Sequence, residues 1–176
     1  MIVWVLFTKS HLIPYAVYMK SSQSITSRSL DRLSLGKLGE AFAAAYLDQL
    51  GYQLVASNFT VPVGRSLRGA VINSEIDLIA YDGPTLCFVE VKTRVSDWFV
   101  PPQANVDRRK QRQIARAAHA YRRMLHLENE PYRYDVVTVL IGKGVSESQP
   151  AQVELLKNYW REEQFKRRYR QDHFYD

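Results

Sequence analysis

Asp77, Glu90 and Lys92 are the residues whose types and spacing point most directly to chemistry. Residues 75–81 (Glu-Ile-Asp-Leu-Ile-Ala-Tyr) and 85–92 (Thr-Leu-Cys-Phe-Val-Glu-Val-Lys) are rich in strand-forming side chains and flank the turn cluster Asp82, Gly83 and Pro84. They read as an antiparallel hairpin. With the turn centred between Gly83 and Pro84, Asp77 and Glu90 stand opposite one another, and cross-strand partners share a face. Lys92, two residues past Glu90, projects from the same face. Ile79, Leu86 and Phe88 belong to that face, while Ile76, Leu78, Val89 and Val91 line the other, so both faces are largely apolar and the strands are expected to be internal. Charges in such a setting need a reason. One is structural, an ion pair of Lys92 with Glu90 or Asp77 at the solvated end of the sheet. The other is chemical: two close carboxylates resist joint ionisation unless a cation lies between them, and oxygen-only ligands with spare positions suit Mg²⁺ or Mn²⁺. With the Val91 carbonyl as an extra ligand beside Asp77 and Glu90, and Lys92 to position a water, this is equipment for metal-assisted attack of water on a phosphodiester. A register slip of one residue would undo the argument. The four histidines, His11, His119, His126 and His173, form no tight ligand spacing with Cys87, so a His/Cys metal site fits less well.

The elements that must position these residues follow from periodicity. Leu35, Leu38, Phe42, Ala45, Tyr46 and Leu50 recur at three and four over 33–50, one face of an amphipathic helix that Gly51 ends. Residues 52–59 read as a short strand, followed by a loop over about 60–73. The Pro101–Pro102 pair precedes a second helix from about Asn105 to Leu127, and Tyr134 to Ile141 is a further strand, closed by Gly142 and Gly144. From about Ala151 the pattern turns amphipathic and then highly charged, which predicts a solvated terminal helix. The order describes a mixed α/β domain, its helices packed on a central sheet. Lys110, four residues from both Val106 and Ile114, falls on the inward face of the second helix. The same helix carries Arg108, Arg109, Arg112, Arg116, Arg122 and Arg123, a solubilising face in one reading and a salt-sensitive phosphate-binding face in the other. Arg94 is either a phosphate ligand or a partner for Glu75 or Asp97.

Asp77 followed by Glu90-Val91-Lys92 resembles the PD-(D/E)xK core of the restriction-endonuclease-like superfamily, with Ile76 where a proline usually precedes the aspartate. A longer string is more specific: Leu38-Gly39-Glu40 with Ala41 and Ala44, Tyr46-Leu47, Gly51-Tyr52, Asn58, residues 75–80, residues 88–94, Lys110 and residues 133–137 (Arg-Tyr-Asp-Val-Val). It resembles the UPF0102 (YraN-like) family over about three fifths of the chain, from Leu33 to Ile141. The resemblance implies a restriction-endonuclease-like fold with a mixed central sheet flanked by helices, similar to archaeal Holliday-junction resolvases. It further implies catalytic roles for Glu40, Asp77, Glu90 and Lys92, with Asp77 and Glu90 as the metal-binding acids. A homodimer is expected on the resemblance alone. Glu40 stands off the apolar stripe beside small neighbours Gly36, Ala43 and Ala44, free to approach the sheet; its plainer reading is an exposed glutamate. Ser74 stands where the family usually has glycine, and the 60–73 loop is longer than typical.

Composition bounds these readings. At 176 residues, 46% hydrophobic and 24% charged, the chain has room for one domain with its own core and is not a low-complexity or wholly disordered polymer. Lys and Arg number 24 against 18 Asp and Glu, a net charge of +6 that favours polyanionic partners. A single cysteine, Cys87, excludes an intrachain disulfide, and a cytoplasmic protein is expected. Residues 1–19 are apolar and aromatic but broken by Lys9, His11 and Pro14, short of the roughly 20 uninterrupted apolar residues of a membrane span. The expected organisation is a flexible arm over 1–30, with Met19 a second candidate start, a nuclease-fold domain over 31–145, and a charged helical extension over 146–176. The functional expectation is a Mg²⁺- or Mn²⁺-dependent nuclease acting on DNA in preference to RNA, on branched or repair intermediates, with Arg94, Arg108, Arg109, Lys110 and Arg112 binding the backbone. The alternative is a non-catalytic nucleic-acid-binding accessory protein. A membrane-surface module built from the apolar arm and basic tail is a third reading, set against an expectation of no membrane partner.

Overall fold

The structure is a computed structural model that describes residues 32–96, 105–142 and 151–166. The proposed N-terminal arm, the Pro101–Pro102 pair, Asp97 and Gly144 lie outside them. Five strands form one sheet in the order β1-β2-β3-β4-β5: β1 Gln53–Arg65, β2 Val71–Asp82, β3 Thr85–Ser96, β4 Tyr132–Gly142 and β5 Gln152–Trp160. Only the β3–β4 pair is parallel, and the helix between them supplies the crossover that such a pair requires. That helix, α2 (Arg108–Met124), covers one face of the sheet; α1 (Arg32–Gln49) covers the other. No helix among the described residues is long and apolar enough to cross a membrane.

The hairpin register is the one the turn arithmetic gives: Leu78 pairs with Val89, Ile79 with Phe88 and Asp82 with Thr85. Both strands are internal. One face assignment is corrected. Ile79, Leu86 and Phe88 pack under α2, and Leu78, Val89 and Val91 under α1, but Ile76 joins the α2 cluster rather than that of Leu78. Alternation breaks at Asp77, which faces Asn58 in β1, a residue in the left-handed region at φ 52°.

Three elements also differ from expectation. The strand expected over 52–59 runs to Arg65, and the long loop shrinks to a turn at 66–70 closed by Ser66 and Ala70. Val61 and Val63 alternate towards the core, and Pro62 is tolerated because β1 is an edge strand. Residues 152–160 form an edge strand, not a helix, since Val153 and Leu155 pack under the α1 face while Gln152 and Glu154 face solvent. The only described helix beyond it is the short α3, Glu163–Lys166. Finally, the buried stripe of α1 is Gly39, Ala43 and Leu47, and Leu50 is exposed. Gly39 explains the rotation: a β-carbon there would overlap the Thr93 side chain, so the helix lies against β3 through its smallest residues. Gly51, at φ 85°, ends α1 with the Tyr52 amide donating to Leu47 and its own amide to Asp48, a Schellman closure.

Candidate active site

Pairing between β2 and β3 stops at Leu78 and Val89, one residue short of Asp77 and Glu90. Beyond that point β2 stays with β1 and β3 with β4, so the two central strands part. Asp77 occupies the fork. Its Oδ2 accepts the Val91 amide hydrogen at 2.7 Å, where a ladder carbonyl would otherwise stand. Burial, then the charge of Glu90, pushes its carboxyl up to about 7, against the opposing effects of the Val91 amide and Lys110.

Glu90 is 2% exposed and holds two lysines. Lys92 Nζ donates to Oε1 at 2.7 Å. Lys110 Nζ, from the first turn of α2, lies 3.1 Å from Oε2, close enough for an ion pair although Oε2 receives no well-directed hydrogen bond. Burial alone would lower the Lys110 ammonium, but Glu90 and Asp77 outweigh it and hold it above the ordinary lysine value. The helix starts where it does because Asp107 caps it, accepting the Lys110 amide at 2.8 Å. That bond, aided by the charges of Lys92 and Arg109, keeps the Asp107 carboxyl below its usual range.

Glu40 approaches from α1 on the other side of the sheet. Its Oε2 accepts from Asn58 Nδ2 at 2.9 Å, and its charge is felt at Asp77. Asn58 is a partner that sequence reasoning gave no role, although it stands in the family-like string; its left-handed backbone opposite Asp77 places it between the two acids. Thus Asp77, Glu90, Lys92 and Lys110 are gathered, with Glu40 linked through Asn58. Among the described residues no three His, Cys, Asp or Glu side chains gather closely enough to share a metal ion. A divalent cation here would take one oxygen each from Asp77 and Glu90. Val91, whose amide hydrogen Asp77 accepts, would offer its backbone carbonyl as a further ligand. An oxygen-only set with an acid short of compensating charge and an under-bonded Glu90 Oε2 fits Mg²⁺ or Mn²⁺.

The arginines separate into two groups. Arg108, Arg109, Arg112 and Arg116 are exposed along α2. Arg122 is not part of that surface: it is 6% exposed, donates to the carbonyls of Leu127, Glu128 and Glu130, and lies 3.8 Å over the Tyr132 ring. Arg94 is exposed and has no ion-pair partner among the described residues.

A second charged cluster, unforeseen from sequence, lies on the α1 face. Arg133 Nε donates to both oxygens of the buried Asp135 at 3.0 Å, and its Nη2 donates to Asp82 at 2.6 Å and Tyr52 at 2.7 Å. Lys157 adds a bond to Asp82 at 2.8 Å, and the Asn158 amide one to Asp135. Tyr52, Arg133 and Asp135 all lie in the family-like string, which was the available signal. At the β5 end Trp160 stacks on Tyr134 at 4.9 Å, and Glu162 accepts from the hydroxyls of Tyr134 and Tyr132.

A five-stranded mixed sheet between two helices, with acids and lysines gathered where the central strands part, defines an α/β protein compatible with the restriction-endonuclease-like fold. The family model described as "Uncharacterised protein family UPF0102" matches residues 39–139, and the chain belongs to that family. A UPF0102 protein of Geotalea uraniireducens is 44% identical over 110 residues, 62% of this chain and 79% of that protein. One of Syntrophus aciditrophicus is 37% identical over 131 residues, 74% of this chain and 91% of its own length. A solved structure titled "Crystal structure of SSO0001" aligns at a TM-score of 0.32 and 14% identity, over 77% of this chain and 56% of that one, a likeness too slight to carry an argument.

Proposed function

We propose that this protein is a metal-dependent nuclease acting on DNA phosphodiesters, with branched or repair intermediates as substrates. The observation that carries the reading is the fork between β2 and β3, where Asp77, Glu90, Lys92 and Lys110 converge on a break in the ladder. Asp77, Glu90 and the Val91 carbonyl are assigned to hold Mg²⁺ or Mn²⁺, which when bound polarises a phosphoryl oxygen and stabilises the leaving group. Lys92, one-third exposed beside Glu90, is assigned to orient the attacking water. Glu40 supports the site through Asn58. The exposed Arg108, Arg109 and Arg112, with Arg94, are assigned to the DNA backbone, where such contacts position a duplex without reading its sequence. A cytoplasmic setting and a homodimer that cuts two strands belong to the same reading.

One observation favours a second reading. Lys92 and Lys110 already neutralise Glu90, as they would in an accessory protein that binds nucleic acid without cutting it. A cleavage assay separates the two: linear, single-stranded, flap and four-way-junction DNA with Mg²⁺ or Mn²⁺, comparing wild type with Glu90→Ala and Lys92→Ala. Cleavage by wild type that both substitutions abolish is the expected result. Equal binding by all three proteins with no cleavage supports the accessory role instead, and preferential cleavage of RNA would correct the substrate.

A further inference from the structure

We infer that Lys110 is a built-in counter-ion that holds Glu90 until a divalent cation takes its place and then turns to substrate phosphate, so that metal and nucleic acid bind cooperatively. The inference rests on the metal site proposed above and concerns how that site is regulated. Three observations carry it. Glu90 is 2% exposed yet accommodates two ammonium groups, and they are not equivalent: Lys92 makes a directed bond to Oε1, whereas Lys110 lies 3.1 Å from an Oε2 that lacks one. Lys110 therefore has the looser hold on Glu90. Its side chain is 30% exposed on a flexible four-carbon stem, so its charge has a path to solvent without any backbone movement. It also stands in the first turn of α2 beside the exposed Arg108 and Arg109, so an ammonium leaving Glu90 enters a surface already positive.

A cation at Glu90 and an ammonium at Glu90 compete for the same carboxylate charge. Once displaced, Lys110 is an unpaired positive charge at the rim of the site, and a phosphodiester is the group that satisfies it. Binding of metal thus strengthens binding of DNA, and linkage requires DNA to strengthen binding of metal by the same factor. Without either ligand, the pair keeps a buried carboxylate from standing uncompensated.

The test measures Mn²⁺ binding by electron paramagnetic resonance, and four-way-junction DNA binding with Ca²⁺ or with chelator, in wild type, Lys110→Met and Glu90→Gln. Lys110→Met is expected to bind Mn²⁺ about five- to tenfold more tightly than wild type in the absence of DNA. Wild type is expected to bind DNA more tightly with Ca²⁺ than with chelator, and Lys110→Met to lose that gain. Lys110→Arg, which preserves the charge, is expected to retain it, and Lys110→Gln repeats the measurement if the methionine variant folds poorly. Unchanged or weaker Mn²⁺ binding in Lys110→Met, with Glu90→Gln abolishing it, overturns the inference and leaves the proposed metal site standing. Mn²⁺ binding indifferent to Glu90→Gln overturns that site, and the inference with it.

Discussion

Two charged clusters sit on the same sheet, and they are built on opposite principles. Around Arg133 every charge is matched: Asp135 is fully buried yet accepts from Arg133 and the Asn158 amide, and Asp82 is shared by Arg133 and Lys157. Around Glu90 the charge is also met, by Lys92 and Lys110, but the bonding is incomplete, with a carboxylate oxygen that receives no directed hydrogen bond and an aspartate whose carboxyl is pushed up to about 7. A saturated network serves as a fastening; an unsaturated one retains capacity for a ligand. The first ties α1, through Tyr52, to the β2–β3 turn, β4 and β5, and the second lies where the strands separate.

The largest effect is expected from breaking the saturated cluster. Asp135→Ala leaves the Arg133 guanidinium without its buried partner and should cost about 3–5 kcal/mol of stability in chemical denaturation. A loss below about 1 kcal/mol would show that Asp82 alone holds the arginine. Next comes Gly39→Ala, whose methyl overlaps Thr93 and must lift α1 from β3. A destabilisation of about 1–3 kcal/mol is expected, partly relieved by a second Thr93→Ala substitution.

The clusters should also differ in the sign of their pH dependence. The folded-state value of Asp77 is raised, so its contribution to stability is complete below its ordinary value near 3.8 and is lost as pH rises through about 7. Asp77→Asn is therefore expected to stabilise the metal-free protein by about 1–3 kcal/mol at pH 8 and by much less at pH 5, read from paired thermal melts. Asp82 behaves oppositely: bonds from Lys157 and Arg133 lower it to about 2, so its contribution is present above the ordinary value and is lost as pH falls from there through about 2. Melts of Asp82→Asn that match wild type at pH 7 would contradict this assignment. The smallest effect belongs to the surface. Arg108→Gln and Arg109→Gln should each reduce the salt dependence of DNA binding by about one unit of slope without altering substrate preference.

The hairpin was legible as far as Leu78 and Val89 because a short turn fixes register by counting, but Asp77 and Glu90 are not the direct cross-strand partners that counting gives, since the strands part before them. Lys110 was legible for a similar reason, since its spacing from Val106 and Ile114 is set by the helix repeat. The helical reading of 152–160 failed because the charges that follow dominate the local pattern, whereas the Val153–Leu155 alternation is short and acquires meaning only beside β4. Arg122 was misread as surface because nothing in its local sequence announces the carbonyls of the 127–130 turn that fold back onto it.

By itself the sequence determined the α/β class and the register of the β2–β3 hairpin as far as Leu78 and Val89, both of which follow from short-range periodicity and a short turn. Only the tertiary structure decided where β2 and β3 part, that Asn58 joins Glu40 to the site, that two lysines share Glu90, and that Tyr52, Asp82, Arg133, Asp135 and Lys157 form one network. Those features join residues far apart in the chain, through contacts that depend on how the sheet bends and how closely α1 and α2 press against it.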